Sequence, residues 1–162
     1  MAAVVPDGPA SRVDDVACVH CGARLRQDTH GAALPPTVLC IDDDPLVLYF
    51  YRDFLTAHGY RPLTVLDGLQ GLAMARQDRP AVILLDVMLR GLSGFDICRK
   101  FRAAPELRDI PIILITVWDH PSVATTGKMV GASLTLRKPA DPAAILTAIE
   151  EVLREQRDAR AE

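Results

Sequence analysis

No run of apolar residues in this chain of 162 approaches the ~18 needed to cross a bilayer. Val4-Val5-Pro6 is too short for the apolar core of a secretory leader. An excess of positive charge is missing as well. Eighteen Lys and Arg stand against 21 Asp and Glu, a balance with no sequence-wide attraction to nucleic acid or anionic lipid. The four cysteines are too few and too unevenly spaced for a disulfide framework. A chain of this length can bury a core without one, so reduced thiols in a cytoplasm are the expectation. Aromatic residues reach only 5%, and half of them crowd between Tyr49 and Phe54. There is no internal repeat and no low-complexity segment. What is present is the balance of a globular domain, 49% hydrophobic and 24% charged.

The composition turns near residue 35. Residues 1–36 show no sustained hydrophobic period, and Pro35-Pro36 breaks any helix. From Thr37 onward, short apolar runs recur: TVLCI at 37–41, RPLTVL at 61–66, AVILL at 81–85, IPIILI at 110–115 and SLTL at 133–136. Unbroken Val- and Ile-rich runs of this length suit strands buried on both faces. Helix-length stretches lie between them. Asp44-Pro45 and Asp141-Pro142 each place a capping carboxylate before a proline at the first helical position. Ile145, Ile149 and Val152 recur at helical spacing in the last of these stretches. Five strand–helix alternations with short links predict an α/β protein with a doubly wound five-stranded parallel sheet. The expected organisation is an amino-terminal extension at 1–36, one domain at 37–155 and a tail at 156–162.

Ligands of open parallel sheets bind beyond the carboxyl ends of the strands. Asp42, Asp43 and Asp44 follow the first run, Asp86 the third, Thr116 the fourth and Lys138 the fifth. Carboxylate oxygens suit Mg²⁺, and a carboxylate can itself accept a phosphoryl group. A lysine would neutralise that group and a threonine hydroxyl could bond its oxygens. Asp42 and Asp43 could also be a solvated loop, Asp44 only a helix cap, and Thr116 and Lys138 ordinary surface residues. Their meaning comes from standing together.

Four motifs in order resemble the receiver domain of bacterial two-component response regulators, the chemotaxis type included. They are Ile41-Asp42-Asp43-Asp44-Pro45, Leu85-Asp86-Val87-Met88-Leu89 through Gly94, Leu114-Ile115-Thr116, and Gly131-Ala132 through Lys138-Pro139. The resemblance runs from about Thr37 to Leu153 and implies the flavodoxin-like receiver fold. It implies that Asp86 is the phosphoacceptor and that Asp42, Asp43, Asp86 and the main-chain carbonyl of Met88 hold Mg²⁺. Thr116 resembles the switch hydroxyl, and Lys138 the lysine that pairs with the acceptor and then with the phosphate, before a cis bond to Pro139. Met88 and Trp118 stand where side chains tune the access of water to the acyl phosphate. The implied partners are a sensor histidine kinase or histidine phosphotransfer protein and a downstream protein. Only Arg154–Glu162 lies beyond the match, so output is expected through a partner or by phosphate relay. The implied catalysis is limited to the chain's own phosphorylation and slow dephosphorylation. Direct nucleic-acid binding and membrane insertion are not expected; a homodimer, through a second copy of the chain, is a further candidate assembly.

Four positions depart from the family pattern. Thr135 replaces the usual Tyr or Phe that rotates inward on activation, Val117 a common Ala or Gly, Arg90 a frequent proline and Ala140 a frequent Phe. The phosphorylation set is complete; the usual switch readout is not.

Other features read more plainly. Cys40 and Cys98 suit small buried hydrophobes, and His58 a satisfied, partly buried side chain. Val47, Phe50, Phe54 and Tyr51 are expected to face the sheet, with Leu46, Leu48 and Tyr49 outward, either as ordinary surface or as a contact surface. The resemblance implies that such a contact surface would meet the phosphodonor. Cys18-Val19-His20-Cys21 with His30 could supply zinc ligands, although the second CxxC of a zinc ribbon is absent, or could belong to a simple tail. Asp42-x-Asp44 also fits a small haloacid-dehalogenase-type phosphohydrolase, against which Leu46 and the lack of an acidic pair beyond Lys138 both count. Gly127-Lys128 is no phosphate loop, because Ser122 and Met129 stand where glycine and a hydroxyl residue are needed.

Overall fold

The unbroken apolar runs become the strands of one sheet. The computed structural model describes residues 34–161 and the short segments 16–17 and 24–25. In those two segments, β1 (Val16–Ala17) and β2 (Arg24–Leu25) pair antiparallel. Cys18, Cys21 and His30 lie outside the described residues. From Thr37 the order is β3 (Thr37–Ile41), α1 (Pro45–Ala57), β4 (Arg61–Val65), α2 (Gly68–Asp78), β5 (Val82–Asp86), α3 (Gly94–Ala103), β6 (Ile112–Thr116), α4 (Pro121–Met129), β7 (Leu134–Arg137) and α5 (Pro142–Ala161). The five long-paired strands are parallel in the order β4-β3-β5-β6-β7, the doubly wound arrangement that strand–helix alternation predicts.

Side chains alternate across a strand, so the sheet divides the interior into two cores. Val38, Cys40, Val82, Leu84, Ile113 and Ile115 face α1 and α5, where they meet Leu48, Leu55, Ile145, Ile149 and Val152. Leu39, Ile41, Ile83, Leu85, Ile112 and Leu114 face the other way, onto Leu72 and Ala75 of α2 and Ile97, Cys98 and Phe101 of α3. Cys40 and Cys98 are buried, one in each core, as small apolar side chains. Pro62 interrupts no hydrogen-bond ladder on its open side because β4 is an edge strand. The helices start at side-chain caps: Asp44 Oδ1 accepts from Leu46 N at 2.9 Å and Asp141 Oδ1 from Ala143 N at 2.9 Å.

Several details differ from the sequence reading. On α1 the buried stripe runs through Leu48, Tyr51 and Leu55. Leu48, expected outward, is only 7% exposed, whereas Phe50, expected inward, is 42% exposed and stacks on Phe54 at 5.3 Å. The i, i+3, i+7 spacing of Leu48, Tyr51 and Leu55 sets the face, and Phe50 falls at its rim. His58 is exposed at the end of α1, its Nδ1 2.8 Å from the Phe54 carbonyl. β6 begins at Ile112, after Pro111, because a proline there has no N–H to give the ladder. α5 continues past residue 155, where the sequence reading begins a tail, and Gln156 Nε2 donates to Asp109 O at 2.8 Å. Among the described residues, no helix is long and apolar enough to cross a membrane.

Candidate phosphoacceptor site

The chain reverses its order of strand addition between β3 and β5, and open parallel sheets bind their ligands beyond the carboxyl ends of the strands at such a point. Asp42 follows the last residue of β3 and Asp86 is the last residue of β5. One oxygen from each of Asp42, Asp43 and Asp86 lies within 4.8 Å of the others. Asp42 and Asp86 are buried and Asp43 half-buried. Asp42 Oδ1 is held by the Asp44 N–H at 2.9 Å, which fixes the direction of its carboxylate.

The cation comes from the far edge of the sheet. Lys138 N donates to Thr116 O at 2.6 Å, continuing the β6–β7 ladder one residue past β7. The Lys138–Pro139 peptide is cis, as the resemblance implied. Lys138 Nζ lies 2.7 Å from Asp42 Oδ2 and 3.3 Å from Asp86 Oδ1. Burial alone would lower the pKa of this ammonium, but the contacts with Asp42 and Asp86 together outweigh it and the pKa is raised. Thr116 is buried, and its Oγ1 accepts the Trp118 N–H at 3.1 Å.

Asp86 is the carboxylate least at ease when charged. Burial raises its pKa first and the Asp42 charge second; Lys138 and the Met88 N–H oppose them without cancelling them. Its Oδ1 is buried and, apart from the ion pair with Lys138, accepts no hydrogen bond among the described residues. Three clustered carboxylates with such an oxygen fit the donor set of a hard divalent ion such as Mg²⁺. Close by, Gly94 begins α3 with no room for a side chain: a Cβ there would run into the main chain of Asp86 and Val87. A Cβ on Gly127 of α4 would lie only 2.5 Å from the Thr135 hydroxyl.

Asp42, Asp43, Asp86, Thr116 and Lys138 thus meet at one edge, as the sequence reading expected. Trp118 is 45% exposed and 6.4 Å from the Phe95 ring, and Met88 is also half-exposed. Asp44 acts as the cap of α1. The contact missed in the sequence belongs to Arg90, noted there only as a departure. Its Nε stands 3.3 Å from Asp43 Oδ2, and nothing in residue type or spacing signals that pairing.

The response regulator receiver domain family matches residues 38–150. The chain belongs to this family. It is 36% identical over 116 residues to the protein PilH of Pseudomonas aeruginosa, covering 72% of this chain and 96% of that one. It is 38% identical over 117 residues to the response regulator PleD of Caulobacter vibrioides, of which only 26% is covered. Among solved structures, the Vibrio cholerae chemotaxis protein CheY4 superposes with a TM-score of 0.70 at 30% identity, covering 73% of this chain and 98% of that one. The sheet order is therefore that of a chemotaxis-type receiver, and the chain is a receiver domain of two-component signalling. Receivers are phosphoacceptor switches that take phosphate from histidine kinases, act on downstream partners and generally bind Mg²⁺ through acidic residues. The haloacid-dehalogenase reading finds no support: the family match is to receivers, and the second Asp of its motif, Asp44, is engaged as a cap.

Proposed function

We propose that this chain accepts a phosphoryl group on Asp86 from a phosphohistidine donor, in a Mg²⁺-dependent reaction, and signals by partner binding or phosphate relay. The observation that carries this reading is the convergence of Asp42, Asp43 and Asp86 within 4.8 Å, with Lys138 bridging two of them. An Asp86 oxygen attacks phosphorus; the O–P bond forms as the donor's N–P bond breaks, and the electron pair returns to the imidazole nitrogen. Asp42, Asp43, Asp86 and the Met88 carbonyl would hold Mg²⁺, which would supply positive charge for the phosphoryl oxygens. Lys138 adds an ammonium 3.3 Å from Asp86 Oδ1, already placed before reaction. Thr116, released from the Trp118 N–H, offers its hydroxyl to the phosphoryl group. The chain does no other chemistry than its own phosphorylation and slow dephosphorylation.

The domain runs from Thr37 through the end of α5 at Ala161, with an amino-terminal extension before it, and works in the cytoplasm, where kinase domains reside. Leu46 and Tyr49, exposed on the first turns of α1, supply apolar contacts for the donor protein. The test is incubation with acetyl phosphate and Mg²⁺ followed by intact-mass measurement. One phosphate on the wild type and none on Asp86→Asn is the expected result; an equal gain on both would remove Asp86 from the role.

A further inference from the structure

The acceptor loop after β5 is pinned at two points. Leu89 tucks against the core that faces α2 and α3, and Gly91 turns the chain at a φ of +88° that favours glycine. Between these points, Arg90 projects outward with its side chain 90% exposed, and its Nε comes back to 3.3 Å from Asp43 Oδ2. The three clustered carboxylates therefore face two different cations. Lys138 serves Asp42 and Asp86 from the β7 side, and Arg90 serves Asp43 from the loop side. The two pairs differ in how firmly they hold. The ammonium is largely buried and contacts two carboxylates, whereas the guanidinium is solvated and makes a single long contact.

We propose that Arg90 is a solvent-side counter-ion of Asp43 that competes with Mg²⁺ and sets the metal affinity of this receiver. The inference rests on the metal reading of Asp42, Asp43 and Asp86. A cation approaching Asp43 meets a carboxylate already paired and a positive charge beside it, so binding is linked to release of the guanidinium. An exposed pair is cheap to break and is screened by salt, so the competition weakens affinity without blocking the site. Proline or any neutral residue at this position would leave Asp43 unpaired and the metal site stronger.

The test is Mg²⁺ titration of the full chain, followed by Trp118 fluorescence and by the thermal midpoint, for wild type, Arg90→Gln, Asp43→Asn and Arg76→Gln. Arg76, paired with Glu106 in the last turn of α2, removes one positive charge at the opposite edge of the sheet. Arg90→Gln should tighten Mg²⁺ binding about three- to tenfold at low salt, the gap closing as ionic strength rises. Arg76→Gln should leave the affinity unchanged. An unaltered Kd in Arg90→Gln beside Asp43-dependent binding by the wild type overturns the competition and keeps the metal site. So does equal tightening by Arg76→Gln. No Mg²⁺ binding by the wild type, or undiminished binding by Asp43→Asn, overturns both.

Discussion

Lys138 and Asp42 are 96 positions apart in the chain, and Lys138 Nζ donates to Asp42 Oδ2 at 2.7 Å. The contact spans two intervening strands, from the end of β7 to the end of β3. It closes one side of the acidic crevice and leaves Asp42 neutralised although it is buried.

Removing that ammonium leaves two buried carboxylates facing each other without a counter-charge. Lys138→Ala is expected to lose about 2 kcal/mol of stability in metal-free buffer, less than a fully buried pair would because Lys138 is partly exposed. Mg²⁺ should restore part of the loss. Urea denaturation with and without the ion checks this, and a loss that ignores Mg²⁺ would point to packing instead of charge.

Asp86 carries a sign of its own. Its carboxyl is raised, chiefly by burial and then by Asp42, so the folded protein binds its proton more readily than the unfolded chain does. Stability from this group is full below the unfolded pKa and is lost as pH rises through the folded one. Asp86→Asn should therefore melt a few degrees above wild type at neutral pH in the absence of metal. The gap should shrink as pH falls toward 4. Thermal melts across that range decide it, and a gap that widens in acid would reverse the assignment.

Gly94 is a steric condition on the site. A methyl group there meets the backbone of Asp86 and Val87, which cannot rotate away as a side chain tip could. Gly94→Ala is expected to cost about 1–3 kcal/mol and to cut the yield of acetyl-phosphate labelling more than its stability loss explains. Labelling measured well below the melting point separates the two effects.

Trp118 stands two residues beyond Thr116, half-exposed and tied to its hydroxyl through the backbone N–H. We propose that, with Met88, it puts large apolar side chains where an acid or amide could orient an attacking water. The phosphorylated protein is expected to be long-lived, and Trp118→Glu to lose phosphate severalfold faster. The Trp118 emission should change when beryllofluoride and Mg²⁺ bind. Equal hydrolysis rates and flat fluorescence would take Trp118 out of the site.

The parallel sheet was legible because buried parallel strands read as unbroken apolar runs, and capping carboxylates marked Asp44 and Asp141 as helix starts. Asp42, Asp86, Thr116 and Lys138 were legible because strand ends in such a sheet share one edge. The face of α1 was not. Six apolar or aromatic residues in a row from Leu46 to Tyr51 carry no period, so Leu48 and Phe50 could be sorted only by packing. The Arg90 contact was not legible either, since the reach of an exposed side chain depends on the turn at Gly91.

The sheet that separates two cores also gives each of them its own chemical clock. Cys40 sits in the α1–α5 core and Cys98 in the α2–α3 core, both fully shielded, with their thiols pushed up chiefly by burial. Neither can react with an alkylating reagent until its own side of the sheet opens. Peptide-resolved alkylation rates would then time the two halves separately within one molecule. Ligation at the crevice ties β3 to β5, which both halves share, and is expected to slow the two clocks together. A docking protein that grips only α1 should slow Cys40 and leave Cys98 running.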